Sequence, residues 1–420
     1  MLRKIINLAT SSVTQLTIRT FTFFYLSYLF TLTEMGYFTL SITVATLAVN
    51  VVTFGAYNLI MEQGESEKDI QGFVRKDFLF YAVNMIVFAL SFSLFHFIFK
   101  MDVPLYLSLL FLLGEMLQVV FIFIFSSYYL TIKKPEKFNH LRNVNTAIYL
   151  CVFMSFILLT DKTVSSWGGL YFLSAVLFVI YGFYYVGKGF YKYETHKVGC
   201  NPRDIGRLYI NRVFKGKHYF ISSVARALLT ASDKLVIVWL FGYDKLGLYS
   251  LAEKAVTAFN IPVSAYLQLN EPKYYTCNRV KRLEILLSLI PVVLLYFLFI
   301  YSSYLVLGSK LFLLLGLPEK FQAPFSILST MLLYIISVNI FNGLMHLFNG
   351  TGKIRLRINL TLLALFVFTI SAYLGNKFFV GFDIVILIVM FFFTQLLVSI
   401  PFYIRYIINY VHIRKTPVRM

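Results

Sequence analysis

The chain has 420 residues, of which 59% are hydrophobic and 14% charged, and its mean hydropathy is +0.75. A soluble domain carries about 25% charged residues and cannot hide this much apolar surface, so lipid must be the solvent; a soluble enzyme and a DNA-binding protein are excluded. Lys and Arg number 38 against 19 Asp and Glu, a net charge of +19, but the basic residues cluster in short loops between apolar runs, the pattern of a polytopic membrane protein and not of a nucleic-acid partner.

The first run, from Leu16 to Leu32, follows Arg3 and Lys4 and lacks a small-residue cleavage site, so it is expected to be a retained span. Further runs lie at 36–60, 78–99, 105–132, 143–160, 168–187, 218–241, 247–270, 283–305, 325–348, 358–375 and 384–404. Each is long enough to cross about 30 Å of hydrocarbon as a helix, whereas barrel strands alternate over about 10 residues. The expected fold is an all-α polytopic membrane protein of about 12 transmembrane helices. Cys151, Cys200 and Cys277 are scattered and form neither a disulfide framework nor a zinc spacing.

With the N-terminus inside, 28 of the 38 basic residues fall in the segments 1–10, 61–77, 133–142, 188–217, 271–282, 349–357 and 405–420. Six fall in the opposite loops, and Arg19, Arg226, Lys234 and Lys254 lie within spans. Both termini are therefore expected in the cytoplasm. The segment 188–217 carries eight of these bases and separates six spans from six. The expected organisation is an N-lobe over 1–190, a basic cytoplasmic inter-lobe loop over 191–217 and a C-lobe over 218–420. Gly36-Tyr37-Phe38-Thr39-Leu40 after span 1 and Gly247-Leu248-Tyr249-Ser250-Leu251 after span 7 share a pattern 211 residues apart. Leu141-Arg142 with Thr146 and Leu356-Arg357 with Thr361 repeat 215 residues apart. Two six-span halves in equal orientation point to a parallel repeat about an axis along the membrane normal.

An ionised side chain at mid-bilayer costs at least about 2.5–3.5 kcal/mol, so the seven within spans would together cost on the order of 20 kcal/mol unless they meet water or each other. They are Arg19, Glu115, Arg226, Asp233, Lys234, Glu253 and Lys254. Helical spacing groups Arg226, Thr230 and Asp233; Glu253, Thr257, Asn260 and Ser264; Thr43, Thr46, Asn50, Thr53 and Tyr57; and Ser12, Gln15, Arg19 and Thr22. A cleft between the halves, lined by spans 1, 2, 7 and 8, would wet all of these groups. The plainer reading makes Asp233–Lys234 and Glu253–Lys254 structural ion pairs, Glu34 and Glu62 span-end residues, and the Ser and Thr hydroxyls back-bonded to their own helices. Arg19 and Arg226, read as unpaired intramembrane arginines, point most strongly to function. In span 10, His346 shares a face with Asn339, Asn342 and Asn349. The bases outnumber the acids, and a guanidinium fork matches phosphate oxygens, so the expected cargo is anionic. No Walker A run, zinc motif or serine-nucleophile motif occurs, so no cofactor is expected and a gradient must supply the energy.

The segment Asp233-Lys234-Leu235-Val236-Ile237-Val238-Trp239-Leu240-Phe241-Gly242, followed by Leu246-Gly247-Leu248-Tyr249-Ser250-Leu251-Ala252, resembles the Wzx-type polysaccharide flippases of the MOP (multidrug/oligosaccharidyl-lipid/polysaccharide) exporter superfamily. Gly36-Tyr37-Phe38 and Asn349-Gly350-Thr351-Gly352-Lys353 are similar to its counterparts. The resemblance implies two six-helix lobes around a central cavity, MATE-like, working by alternating access in the bacterial inner membrane. It implies an undecaprenyl-pyrophosphate-linked oligosaccharide, such as an O-antigen repeat unit, moved to the periplasmic leaflet with H+ or Na+ coupling. The cavity residues would be Arg19, Arg226, Lys234, Lys254, Asn50, Thr230, Asn260, Asn342 and His346, and the ion-coupling carboxylates Glu115, Asp233 or Glu253. The partners would be membrane lipids and polysaccharide-assembly proteins, with a monomeric chain and no nucleic acid.

Four rival readings fit less well. A MATE-type exporter of another amphiphile is expected to carry a carboxylate in span 1, where this chain has Arg19. A lipid II flippase has extra spans. A membrane polysaccharide polymerase or glycosyltransferase needs a large outer loop, and the longest here, Leu307 to Ala323, holds one acid, Glu319. A scaffold has little reason to keep intramembrane charges.

Overall fold

The computed structural model describes residues 2–54, 67–98, 103–131, 134–190, 202–314 and 322–415. Among them are thirteen helices and no strand: α1 (Leu2–Leu29), α2 (Leu32–Thr53), α3 (Glu67–Ile98), α4 (Leu105–Thr131), α5 (Pro135–Leu158), α6 (Val164–Phe190), α7 (Pro202–Phe259), α8 (Ile261–Thr276), α9 (Arg279–Leu314), α10 (Gln322–Met331), α11 (Leu333–Gly350), α12 (Ile354–Phe378) and α13 (Ile384–Lys415). Within the described residues each of the twelve apolar runs lies on one or more of these helices apart from its ends; positions 55–60, 99 and 132 of the runs lie outside the described residues. Runs 7 and 8 are the two arms of α7, with α8 completing the second, and run 10 is α10 and α11, bent by 42°. Glu62, Tyr57 and the stretch 191–201 lie outside the described residues.

Seven helices are each long and apolar enough to cross a membrane (α2, α4, α5, α6, α9, α12 and α13), and the bent α10–α11 pair makes an eighth. The chain is a multi-pass membrane protein. The spans that fall short include α1 and the arms of α7, which hold six of the seven intramembrane charges. Apolar side chains cover the outer faces at helical spacing: Ile86, Leu90, Leu94 and Phe97 on α3, and Leu362, Phe366, Ile370 and Tyr373 on α12 are exposed. In water such stripes would be a liability; in hydrocarbon they are the solvated surface.

Local chemistry explains the breaks. Thr31 and Glu34 close a capping box at the start of α2: Thr31 Oγ1 accepts from Glu34 N (3.2 Å) and Glu34 Oε2 accepts from Thr31 N (2.8 Å). Glu34 is therefore a cap and not merely a carboxylate at a wet span end. Pro135 opens α5 and Pro202 opens α7, where the missing N–H costs nothing. For that reason 202–217, expected as part of an inter-lobe loop, is helical from Pro202 onward. Gly242 breaks α7 at φ 82°, ψ −176°, a conformation open essentially only to glycine. The break folds residues 243–259 back alongside the arm that precedes it.

The chain forms two compact units, Met1–Ala227 and Leu228–Met420, divided within α7. In the first, α4 is central and packs on α2, α3, α5 and α6, while α1 packs on α5. Its core includes a fully buried Trp167 ringed by Tyr149, Phe153, Phe156 and Tyr171. In the second, α11 is central and packs on α8, α9, α12 and α13. The short repeats recur as structure: Thr146 Oγ1 donates to Arg142 O on α5, and Thr361 Oγ1 donates to Arg357 O on α12, both at 2.9 Å.

Candidate functional site

In the first unit, α1, α4, α5 and α6 bring Arg19 into a polar network. Arg19 Nη2 donates to Gln118 Oε1 (2.9 Å), and Nη1 lies 3.8 Å from Glu115 Oε1. Tyr171 donates its hydroxyl to the other Glu115 oxygen. Gln118 Nε2 donates to Ser174 Oγ (3.0 Å), whose own hydroxyl donates to Tyr171 O (2.7 Å). The guanidinium also lies 5.6 Å from the centroid of the Tyr149 ring, within reach of its negative face. Gly114 makes this possible: a Cβ there would stand 2.9 Å from Tyr171 Cδ1, so only glycine lets that ring lie against α4 beside Glu115.

Arg19 is thus not the unpaired arginine that the sequence implies, because Glu115, distant in the chain, reaches it through the tertiary fold. Its hold is loose. The carboxylate is too far for a hydrogen bond, and 31% of the Arg19 side chain is exposed while that of Glu115 is 9% exposed. Beside Arg19 lies a narrow gap, too tight in this conformation for a water molecule, lined by Gln15, Ile18, Arg19, Asn145, Thr146 and Tyr149. Among the described residues no carboxylate lines it.

In the second unit, the arms of α7 bring Asp233, Lys234, Tyr249 and Glu253 together. Lys234 Nζ donates to Glu253 Oε1 (2.7 Å) and lies 3.8 Å from Asp233 Oδ1. Tyr249 donates its hydroxyl to Asp233 Oδ2, and Asp233 Oδ1 also accepts from Lys234 N (2.8 Å). The expected partner of Glu253 was Lys254; the structure gives it Lys234, because the fold at Gly242 sets residue 253 beside residue 234. The Lys234 side chain is only 11% exposed. Lys254 is half-buried and has a contact of its own.

Other expected cavity residues go elsewhere. Asn50 Nδ2 donates to Thr46 O (2.8 Å), and Thr43, Thr46 and Thr53 each donate to the carbonyl four residues back, so this stripe is satisfied within α2. Asn260, buried at the α7–α8 junction, accepts from Asn339 Nδ2 (2.5 Å) and donates to Ser264 Oγ (3.1 Å). It fixes a helix break against α11. Arg226 and Thr230 are exposed and Asp233 is buried, so their common spacing does not give them a common environment. Asn342 and His346 are half-buried on α11, and Asn349 accepts from Arg357 Nη1 (2.5 Å). Asn145, Gln118, Tyr171 and Tyr249 were not singled out from the sequence. Each is an unremarkable polar residue in an apolar run, and its role depends on a partner on another helix or arm.

Solved structures with this fold include MATE in complex with MaL6 (13% identity, 98% of this chain and 97% of that one, TM-score 0.62). Others are an outward-facing multidrug resistance MATE transporter of the MOP superfamily (14%, 98% and 96%, 0.63) and a MOP superfamily transporter from Pyrococcus furiosus Vc1 described by the reverse polarity of its binding pocket, suggesting a different function (13%, 98% and 96%, 0.63). The fold is therefore that of the MATE/MOP transporters. The model of the polysaccharide biosynthesis protein family matches residues 1–269, and the chain belongs to that family. No curated protein matches it.

Proposed function

We propose that this protein is a flippase that carries an undecaprenyl-pyrophosphate-linked oligosaccharide, a surface-polysaccharide repeat unit, from the cytoplasmic to the periplasmic leaflet of a bacterial inner membrane. It works by alternating access, is driven by an H+ or Na+ gradient, and acts as a monomer alongside polysaccharide-assembly proteins. The family and the transporter fold support the outline. The observation that carries the cargo is Arg19: a guanidinium held at mid-helix by a distant carboxylate, with 31% of its side chain exposed and a gap beside it that no described acid lines. A diphosphate offers better geometry than Glu115 does, since its oxygens fit the guanidinium fork at hydrogen-bond distance. The binding pocket of reversed polarity described for the Pyrococcus furiosus transporter is in keeping with a change of cargo on this fold.

The test is reconstitution into vesicles with a fluorescent polyprenyl-pyrophosphate oligosaccharide and, separately, a cationic amphiphile. Leaflet exchange of the first and none of the second is expected. Exchange of the cation alone would replace this reading with that of a MATE-like exporter.

A further inference from the structure

The gap at Arg19 holds a second group that the mechanism above leaves unused. Asn145 is 1% exposed, and its Nδ2 is buried with no hydrogen-bond partner among the described residues. A buried amide donor left unsatisfied costs about 1–3 kcal/mol, so such a group calls for an explanation. Its setting supplies one. Gln15 and Arg19 stand one turn apart on α1, Asn145 and Tyr149 one turn apart on α5, and the two helices pack together. The facing pairs line one gap, too tight in this conformation for a water molecule. Thr146, also in its wall, is committed to Arg142 O. Asn145 lies ten residues into the 24-residue α5, about 15 Å along its axis, well away from either end.

We propose that Asn145 is the second donor of an oxyanion subsite whose first donor is Arg19, taking a phosphoryl oxygen between its amide N–H and the guanidinium. This rests on the anionic-cargo reading and adds to it a specific residue and a place: the phosphoryl group enters between α1 and α5, which part to admit it. Without an anion the amide is an orphan; with one, both donors are satisfied, and Glu115 keeps the hydroxyl of Tyr171. The ligand chemistry is a phosphate or diphosphate ester, whether free or as a lipid headgroup.

The experiment measures binding of two probes to the full-length protein in phosphatidylcholine nanodiscs, inorganic pyrophosphate and a polyprenyl pyrophosphate, with thermal unfolding recorded alongside. The variants are Arg19→Ala, Asn145→Leu and Asn145→Asp. Asn145→Leu is expected to keep or raise the unfolding temperature, since it removes an unpaired donor, and to weaken probe binding about ten-fold or more. Asn145→Asp, close in shape, sets a carboxylate facing the anion and is expected to weaken binding at least as much; it serves if the leucine variant does not fold. Loss with both probes identifies the phosphoryl group alone as the ligand, and loss confined to the polyprenyl probe identifies the lipid headgroup. Unchanged binding of both probes by the Asn145 variants, with Arg19→Ala defective, would overturn the role of Asn145 and leave the cargo reading intact. Unchanged binding by Arg19→Ala would overturn the cargo reading itself.

Discussion

The two units solve one problem in different ways. Each buries a cation beside a carboxylate that also accepts a tyrosine hydroxyl: Arg19 with Glu115 and Tyr171, Lys234 with Asp233 and Tyr249. Lys234 is closed in. It makes a 2.7 Å bond to Glu253, has a second carboxylate beside it, and exposes 11% of its side chain. Arg19 is held at 3.8 Å by one carboxylate, with 31% of its side chain exposed. A buried charge is evidence of function only when its partners leave it something to do. Lys234 is a clamp that fastens the arms of α7 across Gly242; in the proposed function Arg19 receives the anion.

Substitutions separate the two roles. The largest expected effect is that of Lys234→Met, which leaves Asp233 and Glu253 buried without their cation. Breaking a buried pair from one side costs about 3–5 kcal/mol, so folded yield and unfolding temperature in detergent should both fall sharply. Retention of wild-type stability would show that Lys234 is not a clamp. Next is Arg19→Ala, which removes charge-assisted bonds worth about 1.5–3 kcal/mol to the cargo. Flipping per folded molecule should drop about 10- to 100-fold, with Arg19→Lys intermediate because it keeps the charge and loses the fork.

Gly242→Ala should cost about 1–3 kcal/mol in thermal unfolding. No neighbour lies within 4 Å of an added Cβ, so the cost would come from the backbone conformation alone. Gly114→Ala sharpens the other side of the comparison: it pushes Tyr171 from Glu115, and should lower flipping more than stability. The smallest effect is expected for Thr43→Ala, whose hydroxyl serves only its own helix. A change within about 1 kcal/mol and flipping within about two-fold would confirm that the α2 stripe is structural.

The spans were legible in the sequence because hydrocarbon demands long apolar helices, and each of the twelve runs lies largely on a helix within the described residues. The local pair Asp233–Lys234 was readable from adjacency, whereas Glu34, read as a span-end residue, proved to close a capping box with Thr31. What could not be read was which charge meets which. Lys234 passes over the neighbouring possibilities to reach Glu253 because Gly242 folds the chain there, and Arg19 finds Gln118 99 residues away. Helical spacing also misled: it placed Asn50 with Thr46 and Thr53 on a cavity-lining face, whereas each of these side chains bonds back to the α2 backbone. Spacing fixes which side of a helix a group occupies, but packing decides whether that side meets a ligand or a neighbour.

The most direct test compares Arg19→Ala with Lys234→Met in one proteoliposome assay of lipid-linked oligosaccharide flipping, normalised to folded protein. The account predicts that Arg19→Ala folds and flips about 10- to 100-fold more slowly than wild type, while the Lys234→Met molecules that do fold flip faster than Arg19→Ala. Wild-type flipping by folded Arg19→Ala would contradict it.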